Sequence, residues 1–186
     1  IIAFPTIHPR VHMNQHVALI TGGAKGIGRG IALDLASRQW KIAVCYRTSD
    51  AEAKTTAQEI MQRGGQALVI RCDVSDPVAA KNMVTQVEKE WGRIDVLING
   101  AGPYHRINLL DETIDGWNDM FDGNLHPIFY LAQAVAPGMK ARKAGRIISF
   151  SMANADQMEA QPDVTAHYIA KAGVLILTRT LAKLLA

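Results

Sequence analysis

Val17-Ala18-Leu19-Ile20-Thr21-Gly22-Gly23-Ala24-Lys25-Gly26-Ile27-Gly28 is the stretch whose reading decides the fold. VALIT (17–21) is apolar without alternation, the mark of a strand covered on both faces. Glycines follow at once, and a helical pattern opens near residue 26 and runs to about 38. Glycine permits a tight turn, close approach of backbone to a ligand and close packing of a helix on a strand. The helix start adds free N–H groups and the positive end of a dipole. Strand, glycine turn and helix in that order predict a pyrophosphate site for a dinucleotide, with Gly22, Ala24, Lys25, Gly26, Ile27 and Gly28 as contacts. A glycine-containing loop with no ligand is the plainer alternative, disfavoured by its position between a strand and a helix.

The pattern repeats outward from this turn. KIAVCY (41–46), ALVIRCDV (67–74), IDVLIN (94–99) and GRIISFS (145–151) read as further strands. Helices are expected near 26–38, 51–63 and 77–91, then from Trp117 to Arg142 with Pro127 and Pro137 as points of disturbance. Apolar strands separated by helices make an α/β fold, a doubly wound parallel sheet of Rossmann type. Five strands are readable where the 3-2-1-4-5-6 order needs a sixth, and the last helical segment stops without a cap. The fold therefore reads as truncated after the helix that follows strand five. Residues 1–12 show no strand or helix period; Met13 reads as the natural start, with 1–12 an upstream extension and 13–186 one domain.

Composition narrows the function. The chain has 186 residues, with 20 Lys plus Arg against 17 Asp plus Glu, a net charge of +3 that is scattered rather than clustered. That balance argues against nucleic-acid or membrane-surface binding, and no apolar run approaches the length of a membrane span. Cys45 and Cys72 lie in apolar runs, too few for a disulfide framework and too far apart in sequence for a metal motif, so a reducing cytoplasm is expected. The end of the second strand carries Tyr46-Arg47-Thr48-Ser49, where an acidic residue would hold the ribose hydroxyl of NAD. Arg47 can instead grip a 2′-phosphate with its planar fork, and Lys25 can add a second charge, so NADP is the expected cofactor.

These residues resemble the short-chain dehydrogenase/reductase family, from about Gln15 to Ala186. TGGAKGIG matches its TGxxxGxG loop, and Asp73-Val74 matches the pair bordering the adenine ring. Asn99-Gly100-Ala101-Gly102 matches its NNAG motif with the second Asn changed to Gly. Trp117 followed by Asn124-Leu125, Gly145-Arg146-Ile147-Ile148, and Lys171-Ala172-Gly173 match its later motifs in order. The nearest flavour is that of 3-oxoacyl-carrier-protein reductases and related NADP carbonyl reductases. The resemblance implies hydride transfer between NADPH and a carbonyl such as a 3-oxoacyl thioester, or the reverse oxidation of an alcohol. It implies contacts to the cofactor from Asp73, Val74, Asn99, Ala101, Gly102 and Lys171. It also implies a Tyr that donates the proton, a Lys four residues on that acidifies it and holds the nicotinamide ribose, a Ser that orients the carbonyl, and an Asn that holds a relay water. A homodimer or homotetramer is implied as well.

The active-site motif departs from this pattern. Tyr168 is three residues before Lys171, not four; counting back four gives His167. A one-residue offset turns a helical side chain by about 100°. His167 can take the donor's part, although a nearby Lys⁺ would leave its imidazole neutral and a poorer acid at pH 7. The Ser position falls on Met152, with Ser151 one residue early and pointing away unless a bulge restores it. The segment after Ser151 runs about three residues long for the family. Asn124, Ser151, His167, Tyr168 and Lys171 are thus the catalytic candidates, with Tyr168 or His167 as the donor. His105 reads as an exposed loop residue near the substrate path. Two further readings stand beside the carbonyl reductase: a nucleotide-binding homologue with impaired catalysis, and a pteridine reductase.

Overall fold

The computed structural model describes residues 16–186, so the expected extension over 1–12 and start at Met13 lie outside the described residues. Strands and helices alternate: β1 (Val17–Thr21), α1 (Gly26–Ser37), β2 (Lys41–Tyr46), α2 (Asp50–Gln62), β3 (Gln66–Arg71), α3 (Pro77–Trp91), β4 (Val96–Asn99), α4 (Ile114–Asn124), α5 (His126–Arg142), β5 (Arg146–Ser149) and α6 (Thr165–Leu185). The strands are all parallel, in the order β3-β2-β1-β4-β5. Strand order reverses its direction between β1 and β4. Both strands end beside the glycine turn, so the turn sits where such sheets open a crevice.

Side chains alternate across the sheet. Val17, Leu19, Cys45, Ile70 and Leu97 face α3 and α5, where Met83, Val84, Val87, Leu131, Val135 and Met139 complete one apolar layer. Ala18, Ile20, Ile42, Val44 and Ile98 face α1 and α2 across Ala32, Leu33, Ala36, Ala53 and Ile60. Every β1 residue is buried because helices cover both faces, which explains its unbroken apolar run. Asp76 caps α3 by accepting from the Val78 and Ala79 amides at 2.8 and 3.2 Å, and Gly92 ends that helix in the left-handed region.

Three boundaries differ from the sequence reading. β3 stops at Arg71, and Cys72-Asp73-Val74 leaves the sheet toward the crevice. The long helical region is two helices: α4 begins at Ile114 under a Thr113 cap, and the break falls at Leu125, just before Pro127. Pro137 does not interrupt α5. β5 ends at Ser149, so Ser151 lies beyond the strand, and the extra length of 152–164 is taken up by turns rather than by a bulge in the sheet.

Candidate active site

The glycine turn is shaped by contacts that leave no room for side chains. Gly22 has φ +65°, and a Cβ there would stand 2.8 Å from the Gly100 carbonyl oxygen. A Cβ on Gly28 would collide with the Gly22 carbonyl, so the first turn of α1 lies against the loop that precedes it. Lys25 occupies the N-cap of α1 with extended backbone and makes no side-chain cap bond. The first amides of the helix therefore keep their donor capacity for an anion. Thr21 ties this turn to the loop after β4: its hydroxyl accepts from the Gly100 and Ala101 amides at 3.1 and 3.2 Å. The sequence reading placed Thr21 in the TGGAKGIG motif but assigned it no structural role; the one hydroxyl in an otherwise apolar strand is the signal for it.

A cleft of about 640 Å³ opens here, within the size range of cofactor sites. Gly22, Ala24, Lys25, Gly26, Ile27 and Gly28 line one side; Arg47, Asp73 and Val74 line another part of it. Gly100 to His105 lie along the floor toward α4. Arg47 reaches Asp73 at 3.5 Å across two largely exposed side chains. Such a pair holds about 1 kcal/mol or less, so Arg47 is free to turn to a better anion. Burial pushes the Asp73 carboxyl up, but the bonds from the Ser75 hydroxyl and amide and the Arg47 charge outweigh it, leaving the group below the usual carboxylate range. Asn99 is buried, and its side-chain amide donates to the Ser149 hydroxyl at 3.1 Å instead of lining the cleft.

Beyond Gly102 three of the predicted residues come together. A Cβ on Gly102 would collide with Asn124 Oδ1 and stand 3.7 Å from Lys171 Nζ, so both groups flank that glycine. Asn124 donates to the Pro103 and Met120 carbonyls, each at 3.0 Å, which orients its amide at the end of α4. Lys171 Nζ donates to the Phe150 carbonyl at 2.9 Å. His167 lies one turn earlier on α6, buried, with its ring edge-on to Tyr104 at 5.0 Å between centroids. Behind the cleft residues Gly102 and Tyr104, among the described residues, Asn124 Oδ1 and His167 Nδ1 are buried without a hydrogen-bond partner. Buried polar atoms are normally satisfied, so these two have hydrogen-bonding capacity to spare. Burial, then the Lys171 charge, hold the His167 imidazole below its ordinary range; the Pro103 carbonyl opposes this and His105 reinforces it. Burial likewise lowers Lys171.

Two predicted catalytic hydroxyls are engaged elsewhere. Tyr168 is buried, donates from Oη to the Asn154 carbonyl at 2.7 Å and accepts from the Glu159 amide at 3.0 Å. Because α6 is a regular helix through this point, the one-residue offset turns Tyr168 to a different side from His167. Ser151 donates to the Lys171 carbonyl at 2.8 Å, held by the backbone of α6. His105 is not the exposed loop residue expected: it lines the cleft, and its Nε2 lies 2.6 Å from the carboxylate of Glu112, whose side chain is buried. Glu112 carried no signal in the sequence, since nothing there places it near His105.

Comparison with known proteins agrees with this architecture. The family model described as short chain dehydrogenase matches residues 16–186. The chain is 36% identical over 175 residues to a 3-oxoacyl-[acyl-carrier-protein] reductase of Staphylococcus epidermidis, covering 91% of this chain and 68% of that protein. It is 34% identical over 174 residues to the 3-oxoacyl-[acyl-carrier-protein] reductase of Synechocystis sp., covering 94% and 70%. A solved structure from Sinorhizobium meliloti 1021, described as a short-chain alcohol dehydrogenase, superposes with a TM-score of 0.84 at 28% identity, over 90% of this chain and 66% of that one. The chain thus spans about two thirds of the length of these relatives. With its sheet order, its glycine turn and its whole described length matched, the chain belongs to the short-chain dehydrogenase family.

Proposed function

We propose that this chain is an NADP-dependent oxidoreductase acting on a carbonyl and its alcohol, with a 3-oxoacyl thioester or similar ketone as the substrate class. The observation that carries the reading is the grouping of Asn124 and Lys171 about Gly102, which lines a cleft whose other end is an uncapped helix start, with His167 one turn before Lys171 and against the cleft residue Tyr104. The residues fit a dinucleotide: glycine cradles stand where side chains would collide, and helix amides remain available for a pyrophosphate. Arg47 and Lys25 would hold a 2′-phosphate, while Asp73 and Val74 would border the adenine. Lys171 would hold the nicotinamide ribose. When bound, the cofactor supplies or accepts the hydride.

The chain's own part is proton handling. His167 would give a proton to the carbonyl oxygen during reduction and take it back during alcohol oxidation. Its lowered affinity for protons favours the second role at neutral pH. Asn124 would hold a relay water through its unpartnered Oδ1. The names of the reductases from Staphylococcus epidermidis and Synechocystis sp. support a 3-oxoacyl substrate. The two unpaired cysteines support a reducing, cytoplasmic setting. The half-exposed Phe129 on α5 supports a homodimer or homotetramer. No described helix is long and apolar enough to cross a membrane.

A second reading, a nucleotide-binding homologue with impaired catalysis, is favoured by the engagement of Ser151 and Tyr168 outside the cleft and by Met152 at the serine position. NADPH oxidation by the full-length protein over a panel of 3-oxoacyl thioesters, simple ketones and a pteridine separates the readings. Turnover that His167→Phe lowers by about 10²-fold or more supports the reductase. Tight NADPH binding with no turnover of any acceptor supports the second reading.

A further inference from the structure

The segment 152–163 follows β5 at the end of the sheet where the cleft opens, and it is held at three places. Ser151 anchors its start to the Lys171 carbonyl. Its far end is tied to the loop after β4, where the Leu109 amide donates to the Pro162 carbonyl at 2.8 Å and Asp163 faces Arg106 and Asn108. Between these ends, Asn154 and Met158 adopt left-handed backbone at φ +62° and +52°. Non-glycine residues enter that region at a cost, and asparagine with less strain than methionine. Something must hold this course, and the buried contacts available are Ala155, which is 2% exposed, and the Tyr168 hydroxyl.

Tyr168 spans the middle of the segment. Its Oη gives its proton to Asn154 and receives one from Glu159, so a single buried atom fixes both flanks of the 155–158 turn. The same helix presents His167 to the proposed reacting end one position earlier, and Lys171 one turn later. We infer that Tyr168 is a positioning residue, a latch that holds segment 154–159 as a wall of the substrate site, and not a proton donor. The inference that this wall meets substrate rests on the proposed oxidoreductase reading; the latch itself does not. Its phenol is already committed as a donor to a backbone carbonyl, so donating to a substrate would require giving up that bond. Removing the hydroxyl frees the wall while leaving Asn124, His167 and Lys171 in place.

The test is Tyr168→Phe in the full-length protein, read by amide hydrogen exchange over 154–160 and by steady-state kinetics with the best acceptor of the panel. The expected result is exchange at the Glu159 amide faster by about tenfold, the loss of one hydrogen bond's protection. KM should rise by about fivefold or more, with kcat within about twofold and nucleotide affinity unchanged. Glu159→Pro, which removes the amide donor on the segment's side and also restricts the backbone at Met158, should reproduce the KM effect and covers the case in which Tyr168→Phe folds poorly. Unchanged exchange in Tyr168→Phe would overturn the latch. A kcat that falls by about 10²-fold while KM stays unchanged would overturn it too, by making Tyr168 the donor. Failure of the wild-type protein to turn over any acceptor would sink the proposed function and, with it, the substrate-wall role, while the exchange measurement would still decide whether the latch exists.

Discussion

If His167 supplies the proton, as proposed, the rates of reduction and of oxidation should depend on pH in opposite senses that can be worked out beforehand. The free imidazole titrates near 6.5, and burial beside Lys171 lowers that value in the folded protein. At pH 7 the protonated fraction is therefore below about one quarter, even before the shift is counted. Reduction needs the imidazolium, so its rate should rise by up to about tenfold for each unit that pH falls from 8 toward the lowered pKa, provided proton transfer limits turnover. Alcohol oxidation needs the neutral ring and should be fully active at pH 7, falling only below about 6.5. The groups that set this value are Lys171, itself lowered by burial, the Pro103 carbonyl and His105. At high pH the loss of the Lys171 charge would ease His167 upward, a second and smaller inflection. The assay is the nicotinamide absorbance in both directions over the range from about pH 5.5 to 9, for wild type, His167→Phe and Tyr168→Phe. His167→Phe should turn over about 10²-fold or more slowly and lose its dependence on pH in this range. A reduction rate that is flat from about pH 6 to 8 in the wild type, or a pH profile that survives in His167→Phe, would refute the assignment.

Other consequences follow from the same geometry. Arg47→Asp places a carboxylate beside Asp73 and removes the fork proposed for the 2′-phosphate; a charged hydrogen bond is worth about 1.5–3 kcal/mol, so NADPH affinity should fall roughly 10- to 100-fold, with NADH gaining relative to it in competition titrations. Asp95 is buried, accepts from the Val17 amide at 2.9 Å and pairs with Arg93; Asp95→Ala should cost about 2–3 kcal/mol and lower the melting temperature by roughly 4–12 °C in calorimetric scans. Stability itself should drop as pH falls below about 6.5, because the unfolded chain binds a proton at His167 more readily than the folded one, and His167→Phe should flatten that part of the denaturant-midpoint profile.

The sheet and the glycine turn were legible because they obey local rules. VALIT is apolar apart from Thr21 since both faces of β1 are covered, and the glycines are required by contacts between backbone segments. The helix break near Pro127 was visible for the same kind of reason: proline is welcome in a first turn. Pro137 misled because a local cost of about 3 kcal/mol is outweighed by burial of Leu131, Val135 and Met139 on the same helix, each worth about 1.5–3 kcal/mol. Asp95 and Glu112 were invisible, since their partners Val17 and His105 are chosen by tertiary folding. The motif offset at Tyr168 was plain in the sequence, but its meaning was not. Only a regular α6 and the course of 152–163 show that Tyr168 holds the loop while His167, one position earlier, faces Tyr104.

Every step proposed for this chain presupposes a nicotinamide dinucleotide bound at the glycine turn and the start of α1, and isothermal titration of the folded full-length protein with NADPH addresses that binding directly. Saturable one-site binding is predicted, weakened at least about tenfold in Gly28→Ala, whose methyl group would meet the Gly22 carbonyl, in a variant verified to remain folded. No heat with NADPH, NADP⁺, NADH or NAD⁺ across several temperatures, or identical binding by Gly28→Ala, would contradict it.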